Sequence, residues 1–117
     1  MISIGTDIVT ISRIKELIIQ KKEFFLKKIF TDKEINYCNS YSDPHVHFSG
    51  KYAAKESVKK ALLSNNICEH ISLSDIQVLN REDKSPYIII DSLKTIQFNI
   101  SISHDGDYAI AFAIIEK

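Results

Sequence analysis

The sequence predicts an α+β fold, with helices packed on a mainly antiparallel sheet. Three observations carry this. Helix caps and helical spacing fill the chain from Ser12 to about Leu63. Strand patterns follow one another from Asp75 onward. Asp105-Gly106 then reads as a hairpin turn between the last two of them.

Residues 1–8 read as a strand that ends near Asp7. Ser12 caps a helix over 13–20, and a second short helix spans 23–29. Thr31 and Glu34 form a Thr-x-x-Glu capping box, each side chain bonding the other's backbone N–H, for a helix through about Asn39. Asp43-Pro44 sets a cap before a proline at the first helical position, where its missing N–H costs nothing. A long helix runs from there through about Leu63. Gly50 inside it costs about 1 kcal/mol against alanine, so it marks a close backbone contact or a kink. Ser64-Asn65-Asn66 stops the helix. Strands follow over 75–79, 87–90, 95–103 and 108–115. In the last, Tyr108, Ile110, Phe112 and Ile114 face one way, and Ala109, Ala111, Ala113 and Ile115 the other. Both faces are apolar, which predicts a central strand.

A chain of 117 residues makes one domain, 1–117, with a modest core. No apolar run is long enough to span a bilayer, and the start lacks the basic and long apolar segments of a signal peptide. Cys38 and Cys68 match no metal-ligand spacing, so two thiols in a reducing cytoplasm are expected rather than a disulfide. The neutral net charge hides an asymmetry. Residues 1–60 hold 11 Lys/Arg against 7 Asp/Glu, and residues 61–117 hold 4 against 8. Much of the positive excess is Arg13, Lys15, Lys21, Lys22, Lys27 and Lys28. That surface suits an acidic protein steered by charge. Nucleic acid fits less well, because no aromatics interleave with these cations to stack bases. The alternative is a solvated lysine-rich helix.

Within the long helix, Tyr52, Ala54 (or Ala53), Val58 and Ala61/Leu62 form a buried stripe. Lys51, Lys55 and Lys59 recur every fourth residue and so stack on one face. An ammonium row with one carboxylate, Glu56, suits a polyphosphate and its divalent metal. On this helix alone the better reading is a solvated face with Glu56 paired to Lys60. Asp7 sits where a strand opens into a loop. There it either binds a metal or bonds turn amides.

Four segments stand in order: Ile4-Gly5-Thr6-Asp7-Ile8-Val9 with Arg13 after it, Phe30-Thr31-Asp32-Lys33-Glu34, Gly50 to Ser57, and Ile100-Ser101-Ile102-Ser103-His104-Asp105. Together they resemble the motifs of holo-acyl-carrier-protein synthase, the small bacterial 4′-phosphopantetheinyl transferase. The family pattern is G-x-D, F-T-x-x-E, G-R-F-A-A-K-E-A, and S-x-S-H followed by Asp or Thr. The resemblance runs from Met1 to about Ile115. It implies transfer of 4′-phosphopantetheine from coenzyme A to a serine of apo-acyl carrier protein, in support of fatty acid biosynthesis. It implies Mg²⁺ held by Asp7 and Glu56, and Lys60 on the phosphates. It implies Lys51, Ser103 and His104 in the coenzyme A site, and Arg13 against the carrier. It further implies a homotrimer with active sites at subunit interfaces.

His104 has a second reading, a turn histidine whose ring bonds a backbone carbonyl. Glu34 is explained fully by its capping box. Three departures stand out. The family's G-R-F reads Gly50-Lys51-Tyr52, so a bidentate fork becomes a point charge. Its Gly-Thr-Gly after the long helix is Leu63-Ser64-Asn65-Asn66, and its Gly-x-Pro is Lys84-Ser85-Pro86. Two rival readings remain open: a non-enzymatic module for an acidic protein, and a coenzyme A-binding domain that has lost transfer.

Overall fold

The computed structural model describes all 117 residues. In chain order they form β1 (Ile2–Thr10), α1 (Ile11–Lys21), α2 (Glu23–Ile29), α3 (Asp32–Asn39), α4 (Pro44–Ser64), β2 (Gln77–Asn80), β3 (Pro86–Ile89), β4 (Gln97–Asp105) and β5 (Tyr108–Glu116). β5 is the central strand of an antiparallel sheet ordered β1-β5-β4, as its two apolar faces predict. β2 and β3 pair separately, so the strands make two sheets rather than one.

α4 lies across the inner face of the larger sheet. Ala53, Ala54, Val58, Ala61 and Leu62 of α4 meet Ala111, Ala113 and Ile115 of β5 and Val78 and Ile88 of the smaller sheet. Small residues on both elements let helix and strand approach closely. Gly5 is the tightest point. A methyl group there would drive into the Ser57 carbonyl oxygen and lie 2.9 Å from the Ala61 nitrogen. Both are backbone atoms that cannot step aside. A second core, Ile14, Phe30, Cys38 and Phe48, seats α1, α2 and α3 against the start of α4. Burying one such side chain contributes roughly 1.5–3 kcal/mol. No helix is long and apolar enough to cross a membrane.

Local chemistry explains where the elements begin and end. α2 spans the expected residues, and α3 carries the expected capping box: Thr31 N–H donates to Glu34 Oε1 and Glu34 N–H to Thr31 Oγ1. Gly50 faces Ile102, with only 3.0 Å between an added methyl and that side chain. It therefore marks a close contact. α1 departs from expectation. It begins at Ile11, and Ser12 is not its cap. The tip of the β4–β5 hairpin caps it instead: the Asp107 carbonyl takes the Ile11 N–H at 2.7 Å, and the Asp107 carboxylate takes the Ser12 N–H at 3.0 Å and the Ser12 hydroxyl at 2.6 Å. Gly106, at φ 57°, supplies the left-handed residue of the two-residue turn.

The Lys51–Lys55–Lys59 face is not a solvated row. Lys55 is fully buried, Lys51 is buried and Lys59 is half-buried. Lys55 Nζ pairs with Glu34 Oε1 at 2.9 Å and donates to the carbonyls of Leu73 and Ile76. Glu34 therefore does more than cap. Its second oxygen takes the Val78 N–H at 2.8 Å. This network ties α3, α4 and β2 together, and removing one charge from such a pair costs about 3–5 kcal/mol.

Candidate active site

Asp7 lies inside β1, not at a strand exit. β1 continues to Thr10 because β5 pairs with it along all nine residues, Asp7 opposite Ala111. The side chain is on the inner face, toward α4. The close approach at Gly5 brings α4 within reach. Lys60 Nζ sits 3.1 Å from Asp7 Oδ1 and donates to the Thr6 carbonyl. The expected Glu56–Lys60 pair is absent, because Asp7 takes that ammonium. Glu56 and Lys60 are one turn apart on α4, so Glu56 shares this side of the helix. Tyr52 reports the grouping: burial pushes its phenol up, Glu56 and Asp7 push it further, and Arg13 opposes them. Asp7, Glu56, Lys60 and Arg13 thus gather around one region.

Asp7 Oδ2 is buried and makes no hydrogen bond. A buried carboxylate oxygen without a donor is unusual and costly. An oxygen of this kind, with a second carboxylate, Glu56, on the facing side of α4, suits a hard divalent cation such as Mg²⁺, which takes one or two carboxylates and leaves positions for phosphate oxygens.

Lys51 and His104 belong to a different place. Five residues separate Lys51 from Glu56, about 140° around the helix axis. Lys51 therefore points toward the smaller sheet, where its ammonium donates to the Val78 carbonyl at 2.5 Å and Asn80 Oδ1 at 2.6 Å. Burial lowers its pKa. His104 is within β4, which begins at Gln97 rather than Thr95 and continues through Asp105. It pairs with Ala109 on the inner face, and its ring bonds no backbone carbonyl. Ser103 pairs with Ile110 and so takes the outer face, away from His104.

Lys51 and His104 line one cavity of about 360 Å³, together with Tyr37, Tyr41, His47, Asn80, Lys84 and Pro86. No carboxylate lines it. His47 stacks on Tyr41, ring centroids 3.7 Å apart. Lys51 lies over Tyr37 and Lys84 over Tyr41. Burial, helped by the hydrogen bond between the Tyr37 and Tyr41 hydroxyls, pushes the Tyr37 phenol up to about 12. The cavity offers a flat aromatic wall beside ammonium and imidazole groups, which suits a planar anionic ligand. Tyr37, Tyr41, His47 and Asn80 are not singled out by sequence reasoning, and Lys84 only as a departure from the family's Gly-x-Pro. The i,i+4 spacing of Tyr37 with Tyr41 and of His47 with Lys51 is the signal available for them.

Lys84 also accounts for a departure from the family pattern. It holds φ 73°, where glycine is unstrained and a side chain is not. Its conformation is fixed by Lys84 N–H to the Arg81 carbonyl and by Asn80 Nδ2 to the Lys84 carbonyl.

The basic residues of α1, of α2 and of the junction between them, Arg13, Lys15, Lys21, Lys22, Lys27 and Lys28, are all exposed. Phe24 and Ile19 stand exposed among them.

The fold is that of an α+β protein, and carboxylates on a strand and a helix with an ammonium beside them and a separate cationic cavity suit phosphate chemistry. The sequence pattern of the 4′-phosphopantetheinyl transferase superfamily matches residues 3–113, and the chain belongs to that family. Among its relatives, the holo-acyl-carrier-protein synthase of Thermodesulfovibrio yellowstonii is 40% identical over 112 residues, covering 96% of each chain. That of Protochlamydia amoebophila is also 40% identical, over 97% of this chain and 96% of its own. Among solved structures, Helicobacter pylori holo-acyl-carrier-protein synthase in complex with coenzyme A superposes with a TM-score of 0.84 at 33% identity, covering 97% of this chain and 99% of that one. The Bacillus anthracis enzyme in complex with coenzyme A (3′,5′-ADP) gives 0.81 at 28% identity, over 97% and 94%.

Proposed function

We propose that this protein is a holo-acyl-carrier-protein synthase that moves 4′-phosphopantetheine from coenzyme A to a serine of apo-acyl carrier protein and supports fatty acid biosynthesis in the cytoplasm. The observation that carries the reading is the grouping of Asp7, with its unpartnered Oδ2, beside Lys60 and on the same side as Glu56. The serine hydroxyl attacks the pantetheine-side phosphorus. A new O–P bond forms, the bond to the bridging oxygen breaks, the hydroxyl proton is lost and adenosine 3′,5′-bisphosphate leaves. Asp7 and Glu56 would hold Mg²⁺, which when bound offsets charge on the pyrophosphate oxygens. Lys60 uses two N–H groups on Thr6 and Asp7, leaving the third for a leaving-group oxygen. Arg13, on α1, belongs to the basic surface and also faces Tyr52 beside this group, so an acidic carrier docked there presents its serine to the carboxylates.

The cavity of His104, Lys51 and Lys84 takes the nucleotide end of coenzyme A, and one chain does not bring it together with Asp7. Asp7 is on one flanking strand of β5 and His104 on the other. A head-to-tail ring would join the Asp7 side of one subunit to the His104 side of the next. The outer face of the sheet favours such an assembly. Ile4 and Ile8 of β1 and Ile110, Phe112 and Ile114 of β5 form a contiguous apolar surface open to solvent. A face of this kind on a small protein marks an interface. The assembly is a homotrimer with three interfacial sites, and Ser103, on the outer face, meets coenzyme A only through it. The test of the whole reading is mass spectrometry of apo-acyl carrier protein incubated with the protein, coenzyme A and Mg²⁺. A carrier that gains phosphopantetheine supports it; a carrier of unchanged mass overturns it.

A further inference from the structure

His47 stands on the wall of the cavity that holds His104, stacked on Tyr41 and edge-on to Tyr37 at 6.3 Å. Stacking fixes the ring without using its nitrogens, and the cavity it borders holds cations and no carboxylate. We infer that His47 is a proton acceptor built into this cavity, so that binding of the nucleotide end of coenzyme A is coupled to uptake of a proton by His47. The inference rests on the reading that this cavity takes that end of the substrate.

The charged and titratable neighbours come from every side. Tyr37 faces His47 from the end of α3, Tyr41 from the turn after it, Asp43 from the start of α4, Lys51 from further along α4, Lys84 from the β2–β3 turn and His104 from β4. Without ligand, burial holds His47 toward its neutral form. His104, Lys51 and Lys84 act in the same sense, and Asp43 alone opposes them. A phosphate brought into the cavity reverses that balance, because an anion within a few ångströms favours the imidazolium. Binding therefore raises the histidine's proton affinity, and a proton enters with the ligand. Affinity then gains up to about tenfold per pH unit as pH falls through the window between the free and bound titrations.

The probe is adenosine 3′,5′-bisphosphate, titrated calorimetrically in buffers of different ionisation enthalpy, which counts protons taken up on binding. Protons of the ligand's own phosphates are common to all variants and cancel in the comparison. His47→Phe keeps the stack and loses the titration; His47→Gln serves if the larger ring disturbs folding. The wild type should take up more protons than either variant, and its affinity should fall several-fold more steeply between slightly acidic and slightly alkaline pH. Equal proton uptake and parallel pH profiles would overturn the inference. The cavity assignment is checked separately with His104→Ala and Lys84→Met. If both bind the probe like wild type, the ligand lies elsewhere and the site reading fails. If they weaken binding while His47→Phe keeps wild-type proton uptake, the role of His47 alone fails.

Discussion

The Lys60 ammonium lies 3.1 Å from Asp7 Oδ1, although the two residues are 53 apart in sequence. This contact satisfies one carboxylate oxygen and leaves the other, Oδ2, buried without a partner. The same ammonium is thereby withheld from Glu56, its neighbour one turn back. One ion pair thus keeps two carboxylates available on the same side of α4. Gly5 makes the contact reachable, because any side chain there would push α4 away from β1.

If Asp7 and Glu56 serve as ligands, Asp7→Asn and Glu56→Gln should each lower transfer at least a hundredfold, since metal charge stabilisation supplies several kcal/mol. Circular dichroism should show an intact fold. EDTA should silence the wild type, and Mg²⁺ should restore it. A variant with near wild-type rate at saturating Mg²⁺ removes that residue from the ligand set.

Arg13→Glu should raise the Michaelis constant for the carrier and barely alter that for coenzyme A. Added salt should imitate the substitution, because exposed charges are screened beyond about 8 Å at physiological ionic strength. Steady-state kinetics with each substrate varied in turn separates the two. A change confined to coenzyme A would move Arg13 into the nucleotide site.

Asp7 and His104 occupy strands on opposite sides of β5. Mixing an inactive Asp7→Asn chain with an inactive His104→Ala chain should restore part of the activity, through mixed interfaces that hold one intact copy of each. Absence of recovery despite demonstrated subunit exchange would put both residues in one chain's site. A monomer by light scattering at assay concentration would sink the trimer.

Lys84→Gly should relieve the backbone strain at φ 73°, worth about 1–2 kcal/mol. It should also remove an ammonium from the cationic cavity. The expected pair of outcomes is a higher midpoint in thermal melting and a weaker grip on adenosine 3′,5′-bisphosphate. Unchanged affinity would make Lys84 a passive turn residue.

Cys38 is fully buried, and desolvation pushes its thiol from the ordinary 9.0 up to about 12. The folded state therefore keeps a proton that the unfolded chain releases. Stability is complete below pH 9.0 and is lost as pH rises toward 12. Denaturant melts across that range should show the decline, with Cys38→Ala declining less. Under native conditions iodoacetamide should modify the partly exposed Cys68 and spare Cys38.

Most local signals hold, the exception being Ser12, whose capping role passes to Asp107 from the far end of the chain. The Thr31–Glu34 box and the proline at the start of α4 need only neighbouring residues, and both elements lie where those residues place them. The two apolar faces of β5 predict a central strand, and it lies between β1 and β4, with the alanine face covered by α4 and the Ile110–Phe112–Ile114 face open in one chain. Non-local chemistry was hidden. A lysine paired inside the protein has the same i,i+4 spacing as one in water, so Lys55 looked solvated until Glu34 and the carbonyls of Leu73 and Ile76 came into view. Asp7 follows Gly5-Thr6 and resembles a strand exit, yet β5 pairs with it. The cationic cavity was illegible because α3, α4, β4 and the β2–β3 turn each contribute a wall, and no single segment carries the pattern.

β1 has one sheet partner, β5, with Ile2 opposite Glu116 and Thr10 opposite Tyr108. α1 is capped by Asp107, which lies 95 residues beyond Ser12. During synthesis β1 thus waits, unpaired and rich in isoleucine, until β5, about 100 residues later, has left the ribosome. The sheet, the cap on α1 and the placement of Asp7 then arrive together, as one late event of high contact order. A nascent chain stalled before Tyr108 would hold all four helices and the small β2–β3 sheet, but not the central strand that joins β1 to β4, and β1 would stay open to pairing with a stranger.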